Sequence, residues 1–338
     1  MKNSFLYKKL HSFYSYALGL YRKKMNQKYA IIVEKMIQDE NIECKIDEIK
    51  LKFENTDNHT YYIIRRDNPY IGLLTYVSVF LGHIAYAIEK GYIPVIDMKS
   101  FKSIYLDEHE VGKKNAWEYY FEQPFNIGLE DIKNGDRVIY SPKYTQPASP
   151  FMNSLFDNKE SHFWKVICEN YVRLNDKTRS YVLDEYNHLL EGKRLLGLLY
   201  RGTDYLSLKP KDHPIQPSIE SFIEVIERYT NDCEPFDAFY LATDDQKAFI
   251  ALNERFPNMI IVNKRTYYDS ASNAKFLAEI SFDRNNDAFL KGLEYLSSIQ
   301  LLSRCDAIIA SPCAGTYAAN FFRKREFTFK YFFNLGYY

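Results

Sequence analysis

Several features that mark particular classes of protein are missing from this 338-residue sequence. Its five cysteines are scattered and include no C-x-x-C pair, which argues against a disulfide framework and suggests no metal site. No apolar run reaches the roughly 18 residues that a membrane-spanning helix needs, and no signal-peptide pattern opens the chain. We therefore predict a protein of the cytoplasm, where thiols stay reduced.

The sequence also lacks the short motifs of several enzyme classes. It has no G-x-G-x-x-G, which argues against a Rossmann oxidoreductase, and no G-x-x-x-x-G-K-[ST], H-E-x-x-H or G-x-S-x-G. P-loop, zinc-protease and α/β-hydrolase functions are therefore not indicated. The 44 basic and 44 acidic residues balance to a net charge of zero, so the composition gives no support for a nucleic-acid partner.

Length and composition predict two ordered domains. A chain of 338 residues exceeds the size at which one hydrophobic core usually stops growing. Hydrophobic residues make up 46% of the chain and charged residues 26%, as in folded globular proteins. We place the boundary near residue 178, between an N-terminal domain, residues 1–178, and a C-terminal domain, residues 179–338.

The N-terminal region combines basic charge with an apolar stripe. Seven lysines and arginines precede the first acidic residue, Glu34. The stripe, at helical spacing, consists of Leu6, Leu10, Phe13, Ala17 and Leu20. Such a basic amphipathic helix suits an anionic membrane surface, although an ordinary helix packed on its domain fits the same pattern. Peripheral contact with the cytoplasmic face of a membrane is therefore a secondary prediction.

The rest of the first half predicts a β-loop-α-β unit. Tyr61–Ile64 has the pattern of a strand, and Asn68–Gly72 that of a loop. A long apolar helix from Leu73 to Lys90 and a second strand at Ile93–Asp97 complete the unit. This half therefore belongs to the α/β class.

Three apolar strands in the second half each end in small or polar residues. Leu195–Tyr200, Phe239–Ala242 and Ala307–Ala310 are separated by segments with helical periodicity, which predicts a β-α-β-α-β unit with a parallel sheet. The residues that follow these strands are Arg201, Gly202, Thr203 and Asp204, then Thr243, Asp244 and Asp245, then Ser311, Pro312, Cys313, Ala314, Gly315 and Thr316. Open α/β sheets bind ligands beyond the carboxyl ends of their strands, so a ligand site is predicted there.

The chemistry of these strand ends suits a phosphorylated ligand. Arg201 presents a planar fork of five donors, Gly202 permits close backbone approach, and Asp204 can orient the arginine or accept from a sugar hydroxyl. The loop 311–316 precedes a helix whose free N–H groups suit a diphosphate. Two other interpretations stay open: Arg201 and Asp204 as a pair that ties a strand end to its loop, and the residues 244–245 as helix caps.

From about Lys193 to Phe322, the order of these motifs resembles fucosyltransferases of the α-1,6 type and, more distantly, the α-1,2- and protein O-fucosyltransferases. The strand end His-x-Arg-Arg-Thr-Asp of that family is similar to Leu199–Asp204, and its Tyr-Leu-Ala-Thr-Asp-Asp block is similar to Tyr240–Asp245. The other segments that match are His213–Ile215, Gly292–Ala310 and, more weakly, Gly72 with its helix and Asn115–Phe121.

The resemblance implies a GT-B fold, in which two Rossmann-like domains face a central cleft and mainly the C-terminal domain holds a GDP-sugar, with GDP-fucose as the expected donor and no metal ion required. The sequence is compatible with this, because it has no Asp-x-Asp element. Arg201 matches the arginine that contacts the diphosphate, and with Asp204 it is our catalytic candidate. The candidate donor-binding residues are Arg201, Gly202, Thr203, Asp244, Asp245, Ser298, Ser311, Cys313, Ala314, Gly315, Thr316 and Gly72.

Several positions depart from the family pattern. Leu199 stands where the family has a histidine, and Gly202 stands where it has the second arginine. Cys313–Gly315 replaces a Ser-Ser-Gln loop. Lys209 replaces an acidic residue, and Ser298 replaces an aspartate of the late helix. The identity of the general base therefore stays open. The candidates are Asp204, Asp212, Asp244 and Glu108, and an SN1-like transfer needs no strong base. His213 either contacts the donor or simply sits in the turn before Pro214.

The sequence thus predicts an inverting, metal-independent, fucosyltransferase-like glycosyltransferase. It would transfer a sugar from a GDP-sugar to a hydroxyl of a glycan or lipid-linked glycan acceptor in the synthesis of a bacterial surface polysaccharide. The alternative, motivated by the departures above, is a non-catalytic member that binds a nucleotide sugar or glycan and acts as an assembly partner.

Overall fold

The computed structural model describes residue 20 and residues 23–56, 58–145, 148–231, 234–267 and 280–338. Most of the amphipathic segment predicted at the N-terminus, including Leu6, Leu10, Phe13 and Ala17, lies outside these residues. For Thr203 and Asp204 only the backbone is described. None of the helices in the described ranges is both long enough and apolar enough to span a bilayer.

The described residues form α-helices, short parallel strands and several 3-10 helices of three or four residues. The helices are 23–39 (α1), Ile42–Asn55 (α2), Leu73–Lys90 (α3), Asn158–Tyr171 (α4), Asp176–Leu189 (α5), Thr203–Leu208 (α6), Ile219–Asn231 (α7), Gln246–Arg255 (α8), Asp287–Leu302 (α9) and Ala314–Phe322 (α10). The strands are Thr60–Arg65 (β1), Ile93–Asp97 (β2), Arg137–Tyr140 (β3), Leu195–Tyr200 (β4), Ala238–Thr243 (β5), Ile260–Ile261 (β6), Ala307–Ala310 (β7) and Phe329–Phe332 (β8).

The first sheet contains the β-loop-α-β unit that the sequence predicts. Its strands run parallel in the order β2-β1-β3, and α3 connects β1 to β2. Thirteen of the eighteen residues of α3 are buried, which explains its nearly unbroken apolar sequence. Gly91 ends this helix in the left-handed conformation, with φ of 63°, which glycine adopts without a steric penalty.

The second sheet confirms the predicted parallel arrangement of the C-terminal half. Its strands lie in the order β6-β5-β4-β7-β8, so β4, the first in sequence, has later strands on both sides. The strand order reverses between β4 and β7, and ligands bind in the crevice beyond such a reversal. All six residues of β4 are buried. A Cβ at Gly197 would lie 2.7 Å from Leu302 Cδ1, so α9 packs directly on this strand.

One hydrophobic cluster joins the two halves of the chain. Buried side chains from both, such as Phe80 and Trp117 in the first and Leu296 in the second, belong to a single cluster. Tyr120 donates a hydrogen bond to the carbonyl oxygen of Phe289 at 2.9 Å, and the two rings stack at 5.6 Å. The core therefore holds α9 against the N-terminal half.

Part of this core is sensitive to pH through a buried histidine. His83 of α3 has no exposed surface, and its Nδ1 lies 3.1 Å from the Tyr62 hydroxyl. Burial lowers the pKa of this imidazole to about 3, with a further contribution from the nearby positive charge of Arg66. The folded state therefore holds His83 neutral, whereas the unfolded chain binds a proton at the ordinary histidine pKa of about 6.5.

The stability of the protein should therefore fall as the medium is acidified. His83 contributes fully above pH 6.5, and its contribution is lost progressively as the pH falls from there toward 3, because only the unfolded chain takes up the proton. We expect this residue to lower the free energy of unfolding by about 2 kcal/mol between pH 7 and pH 5. Urea unfolding of the wild type and of His83→Gln at both pH values measures it. An equal loss in both proteins would contradict the assignment.

Candidate active site

A cavity of about 520 Å³ opens at the carboxyl ends of β4 and β5. Its size is typical of pockets for small ligands. Besides the strand ends, the N-terminus of α3, the N-terminus of α10 and one face of α9 border it. The lining residues from these elements are Gly72, Thr75, Leu199, Tyr200, Arg201, Ala242, Thr243, Asp244, Lys291, Glu294, Tyr295, Ile299, Cys313 and Ala314. We call this cavity the cleft.

Arg201 is held in the cleft from two sides. Its backbone N–H donates to Ser311 Oγ at 2.9 Å, and Ser311 Oγ donates in turn to the carbonyl oxygen of Leu199 at 3.0 Å. The guanidinium forms an ion pair with Asp244 and lies 4.8 Å from the centre of the Tyr205 ring. Ser311 is fully buried and does not line the cleft, so its visible role is to join the ends of β4 and β7.

The two adjacent aspartates after β5 have different environments. Asp245 Oδ1 accepts hydrogen bonds from the backbone N–H groups of Lys247 and Ala248, at 2.9 and 3.3 Å, and thus caps α8. Asp244 lines the cleft and pairs with Arg201 through one oxygen. Its other oxygen, Oδ1, is buried without a hydrogen-bond partner. The capping interpretation thus fits Asp245, whereas Asp244 faces the ligand space.

Gly202 is required by close packing. A Cβ at this position would lie 2.2 Å from Asp245 Oδ2 and 2.9 Å from Tyr200 Cε1. Those distances are far shorter than a carbon atom tolerates, so no side chain fits without movement of the α8 cap. The backbone here therefore does not accommodate the second arginine of the fucosyltransferase pattern.

The loop from residue 311 to residue 316 turns the start of α10 toward the cleft. Cys313 and Ala314 line the cleft, whereas Thr316 is buried and donates from its hydroxyl to the carbonyl oxygen of Ser311. As at any helix start, the N–H groups of Ala314 and Gly315 lack an acceptor within the helix. The positive end of the α10 dipole is thus directed at the ligand space.

A second helix N-terminus meets the cleft from the other half of the chain. Gly72 precedes α3, and the N–H of Leu73 donates to the Tyr105 hydroxyl at 2.6 Å. Gly72 and Tyr105 both line the cleft. A Cβ at Gly72 would meet nothing closer than 3.9 Å, so packing does not require glycine here. Two positive helix ends therefore border one cavity, which favours an anionic ligand.

Several lining residues were not predicted from the sequence. Arg265 follows β6, and Lys291, Glu294 and Tyr295 lie on α9. Glu294 accepts from the guanidinium of Arg284 and from the N–H of Thr266, so it is already engaged. These residues follow no strand-end motif. In the sequence, the three residues of α9 show only helical periodicity, and Arg265 only follows a two-residue strand. Neither pattern predicts that these residues line a cleft.

Other candidates lie outside the cleft. Ser298 is fully buried on α9, where its carbonyl oxygen accepts from the Tyr240 hydroxyl at 3.2 Å. Asp212 is exposed in a turn, and Glu108 is exposed and paired with Lys102. Thr203 and Asp204 begin α6, and their roles stay predictions.

His213, for which the sequence left open a contact with the donor or a place in the turn before Pro214, lines the cleft. Its ring packs edge-on against Tyr205 at 5.3 Å, and its Nδ1 lies 3.0 Å from the carbonyl oxygen of Lys211. It therefore sits in the turn before Pro214 and also faces the ligand space. Within the ranges that the structure describes, no group of three or more His, Cys, Asp or Glu side chains is placed to hold a metal ion.

No protein-family model matches this sequence, and no curated protein sequence is significantly similar to it. Among solved structures, NodZ α-1,6-fucosyltransferase soaked with GDP-fucose aligns with 78% of this chain and 93% of its own, at 16% identity and a TM-score of 0.49. Fucosyltransferase NodZ from Bradyrhizobium aligns at 13% identity and a TM-score of 0.49, over 77% and 92% of the chains. POFUT1 in complex with GDP-fucose aligns at 11% identity and 0.46, over 83% and 99%. These are fucosyltransferases, the superfamily whose motif order the sequence resembles.

Proposed function

We propose that this chain is an inverting, metal-independent glycosyltransferase that transfers a sugar from a GDP-sugar, with fucose as the expected sugar, to a hydroxyl of a glycan acceptor. One observation carries the proposal: the cleft at the strand-order reversal joins the Arg201 guanidinium to two helix N-termini. The choice of GDP as the nucleotide and of fucose as the sugar rests on the motif order from Leu199 to Ala310, which resembles that of fucosyltransferases.

The cleft offers a place for the diphosphate of such a donor. Arg201 can form two parallel hydrogen bonds to phosphate oxygens, and the first-turn N–H groups of α10 can donate to others. As the bond between the sugar and the diphosphate breaks, negative charge grows on the leaving nucleotide. Fixed donors placed there stabilise the transition state without a metal.

The acceptor hydroxyl must lose its proton during transfer. The carboxylates that line the cleft within the described residues are Asp244 and Glu294, and each already has a cationic partner, Arg201 and Arg284 respectively. A transfer with SN1 character needs little assistance from a base, so this arrangement is sufficient.

We propose a GT-B arrangement with the predicted domains 1–178 and 179–338, in which residues such as Asn68 and Tyr70 contact the acceptor from the N-terminal side. A glycan or lipid-linked precursor of a bacterial surface polysaccharide is the proposed acceptor. The proposed location is the cytoplasm, with peripheral contact to the membrane through the basic N-terminal segment.

Nucleotide binding is the first test of this function. A thermal-shift screen against GDP, UDP, CMP, dTDP and their sugars, in EDTA, should show selective stabilisation by GDP and GDP-fucose. A ligand at 100 times its Kd stabilises the native state by about 2.7 kcal/mol, which such a screen detects readily. Selectivity for another nucleotide would keep the glycosyltransferase and discard the GDP-sugar. No shift with any nucleotide would contradict the proposal.

The non-catalytic alternative rests on the same cleft. Gly202 stands in place of the second arginine of the family pattern, and packing leaves no room for a side chain there. Ser298 stands in place of the family's aspartate and is buried away from the ligand space. A non-catalytic member would bind a nucleotide sugar but neither hydrolyse nor transfer it. Incubation with GDP-fucose, followed by measurement of free GDP, separates the two functions.

A further inference from the structure

Tyr295 places a phenol at the start of α10. Its ring comes from α9, packs against the core and lines the cleft. A Cβ at Gly315 would lie 3.1 Å from the Tyr295 hydroxyl oxygen, which fixes that oxygen beside the first turn of α10. Glycine at 315 therefore leaves the space that the phenol occupies.

The hydroxyl is available to a ligand. No described residue forms a hydrogen bond with it. Tyr295 is only partly buried, and the surface that it leaves open borders the cleft. A phenol in a largely apolar pocket normally finds a hydrogen-bond partner, and here the open side is the cleft.

The surroundings keep this phenol in its donating form. Burial raises the pKa of Tyr295 well above its ordinary range, so the O–H proton is present at neutral pH. Arg201 and Cys313 lie close enough to act on the phenol electrostatically, so the phenol belongs to the same part of the cleft as Arg201. A neutral O–H donor suits an anion there, because a phenolate would repel it.

We infer that the Tyr295 hydroxyl donates a hydrogen bond to a phosphate oxygen of the sugar-nucleotide diphosphate, beside Arg201 and the first turn of α10. This inference rests on the proposed function and adds a catalytic residue to it. The proton stays on the phenol throughout. The hydrogen bond strengthens as negative charge moves onto the diphosphate, so Tyr295 stabilises the transition state more than the bound donor.

The substitution Tyr295→Phe tests this role, because it removes one oxygen and keeps the ring. Calorimetric titration of the full chain with GDP and with guanosine, which lacks phosphate, measures the two affinities. We expect Tyr295→Phe to weaken GDP binding about 10- to 100-fold, as for a hydrogen bond to a charged group, and to leave guanosine binding unchanged. The rate of sugar release from the donor should fall by a larger factor than GDP affinity.

A matched control is available on α10 itself. Tyr317 is buried against the aromatic side chain of Phe151 and does not line the cleft. Tyr317→Phe removes the same atom and should leave both affinities unchanged.

Three results would count against the inference, and they differ in what else they overturn. If Tyr295→Phe binds GDP as tightly as the wild type, the inference fails and the proposed function stands. If it weakens GDP and guanosine equally, the phenol acts on the nucleoside or the fold, and the inference also fails. If the wild type binds GDP no better than guanosine, the assigned diphosphate site fails, and the proposed function fails with it.

Discussion

Arg201→Ala is expected to reduce sugar transfer by at least about 100-fold, the usual cost of removing one fixed donor from a developing negative charge. The guanidinium is placed by its backbone bond to Ser311 and its ion pair with Asp244, so alanine leaves the cleft without its strand-end cation. The measurement is the turnover of GDP-fucose, or of whichever sugar nucleotide the binding screen selects, with and without acceptor.

Two further variants make the result interpretable. Arg201→Ala leaves the Asp244 carboxylate without its cation, and the double variant Arg201→Ala/Asp244→Asn removes that cost. The double variant should recover the stability of the wild type but not its activity. Arg194, which precedes β4 at the opposite end of the strand, is half-buried against Phe236 and serves as the matched control. Arg194→Ala should keep full activity, and unchanged turnover in Arg201→Ala would refute the phosphate role.

Gly202→Arg, which restores the second arginine of the family pattern, is expected to damage this protein. Any Cβ at 202 collides with Asp245 Oδ2, so the substitution must displace the carboxylate that caps α8. Overpacking of this kind costs about 1–3 kcal/mol, and loss of the cap adds about 1 kcal/mol. Urea unfolding should show this decrease, and GDP binding should weaken because Asp244 and Arg201 adjoin the displaced segment.

Gly72→Ala is the matched control for this effect. Gly72 also lines the cleft, but its φ of −65° and the 3.9 Å to the nearest atom allow a Cβ. Its free energy of unfolding should fall by no more than about 1 kcal/mol, the cost of replacing the glycine N-cap of α3 with alanine. If Gly202→Arg were as stable as the wild type and more active, Gly202 would be a lost catalytic position and not a packing requirement.

Local patterns in the sequence predict the elements that carry the site. The apolar runs of β4, β5 and β7 and the helices between them are visible from the periodicity, because each element buries its own apolar face. Parallel strands bring their carboxyl ends to one edge of a sheet, so a ligand site beside Arg201 follows from the strand pattern. The strand pattern does not assign a role to every residue of the motif. The role of Asp204 rests on its position in the motif alone, because only its backbone is described.

The same patterns could not distinguish neighbouring residues of one type. Asp244 and Asp245 are chemically identical, yet one lines the cleft and the other caps α8, because the chain leaves β5 with a fixed direction relative to that helix. The long-range pairing of Arg201 with Asp244 depends on the register of β4 beside β5, which no local pattern specifies.

By itself, the sequence determined the α/β class, the helix and strand pattern and the strand-end chemistry around Arg201. The tertiary structure decided which side chains face the ligand space. Lys291, Glu294 and Tyr295 reach the cleft because α9 packs directly on Gly197 of β4, and Ser298 on the same helix is turned into the core. Helical periodicity places an apolar face against a sheet, but only the packed contact between helix and strand fixes where along the sheet that helix lies, and therefore which of its residues meet the cleft.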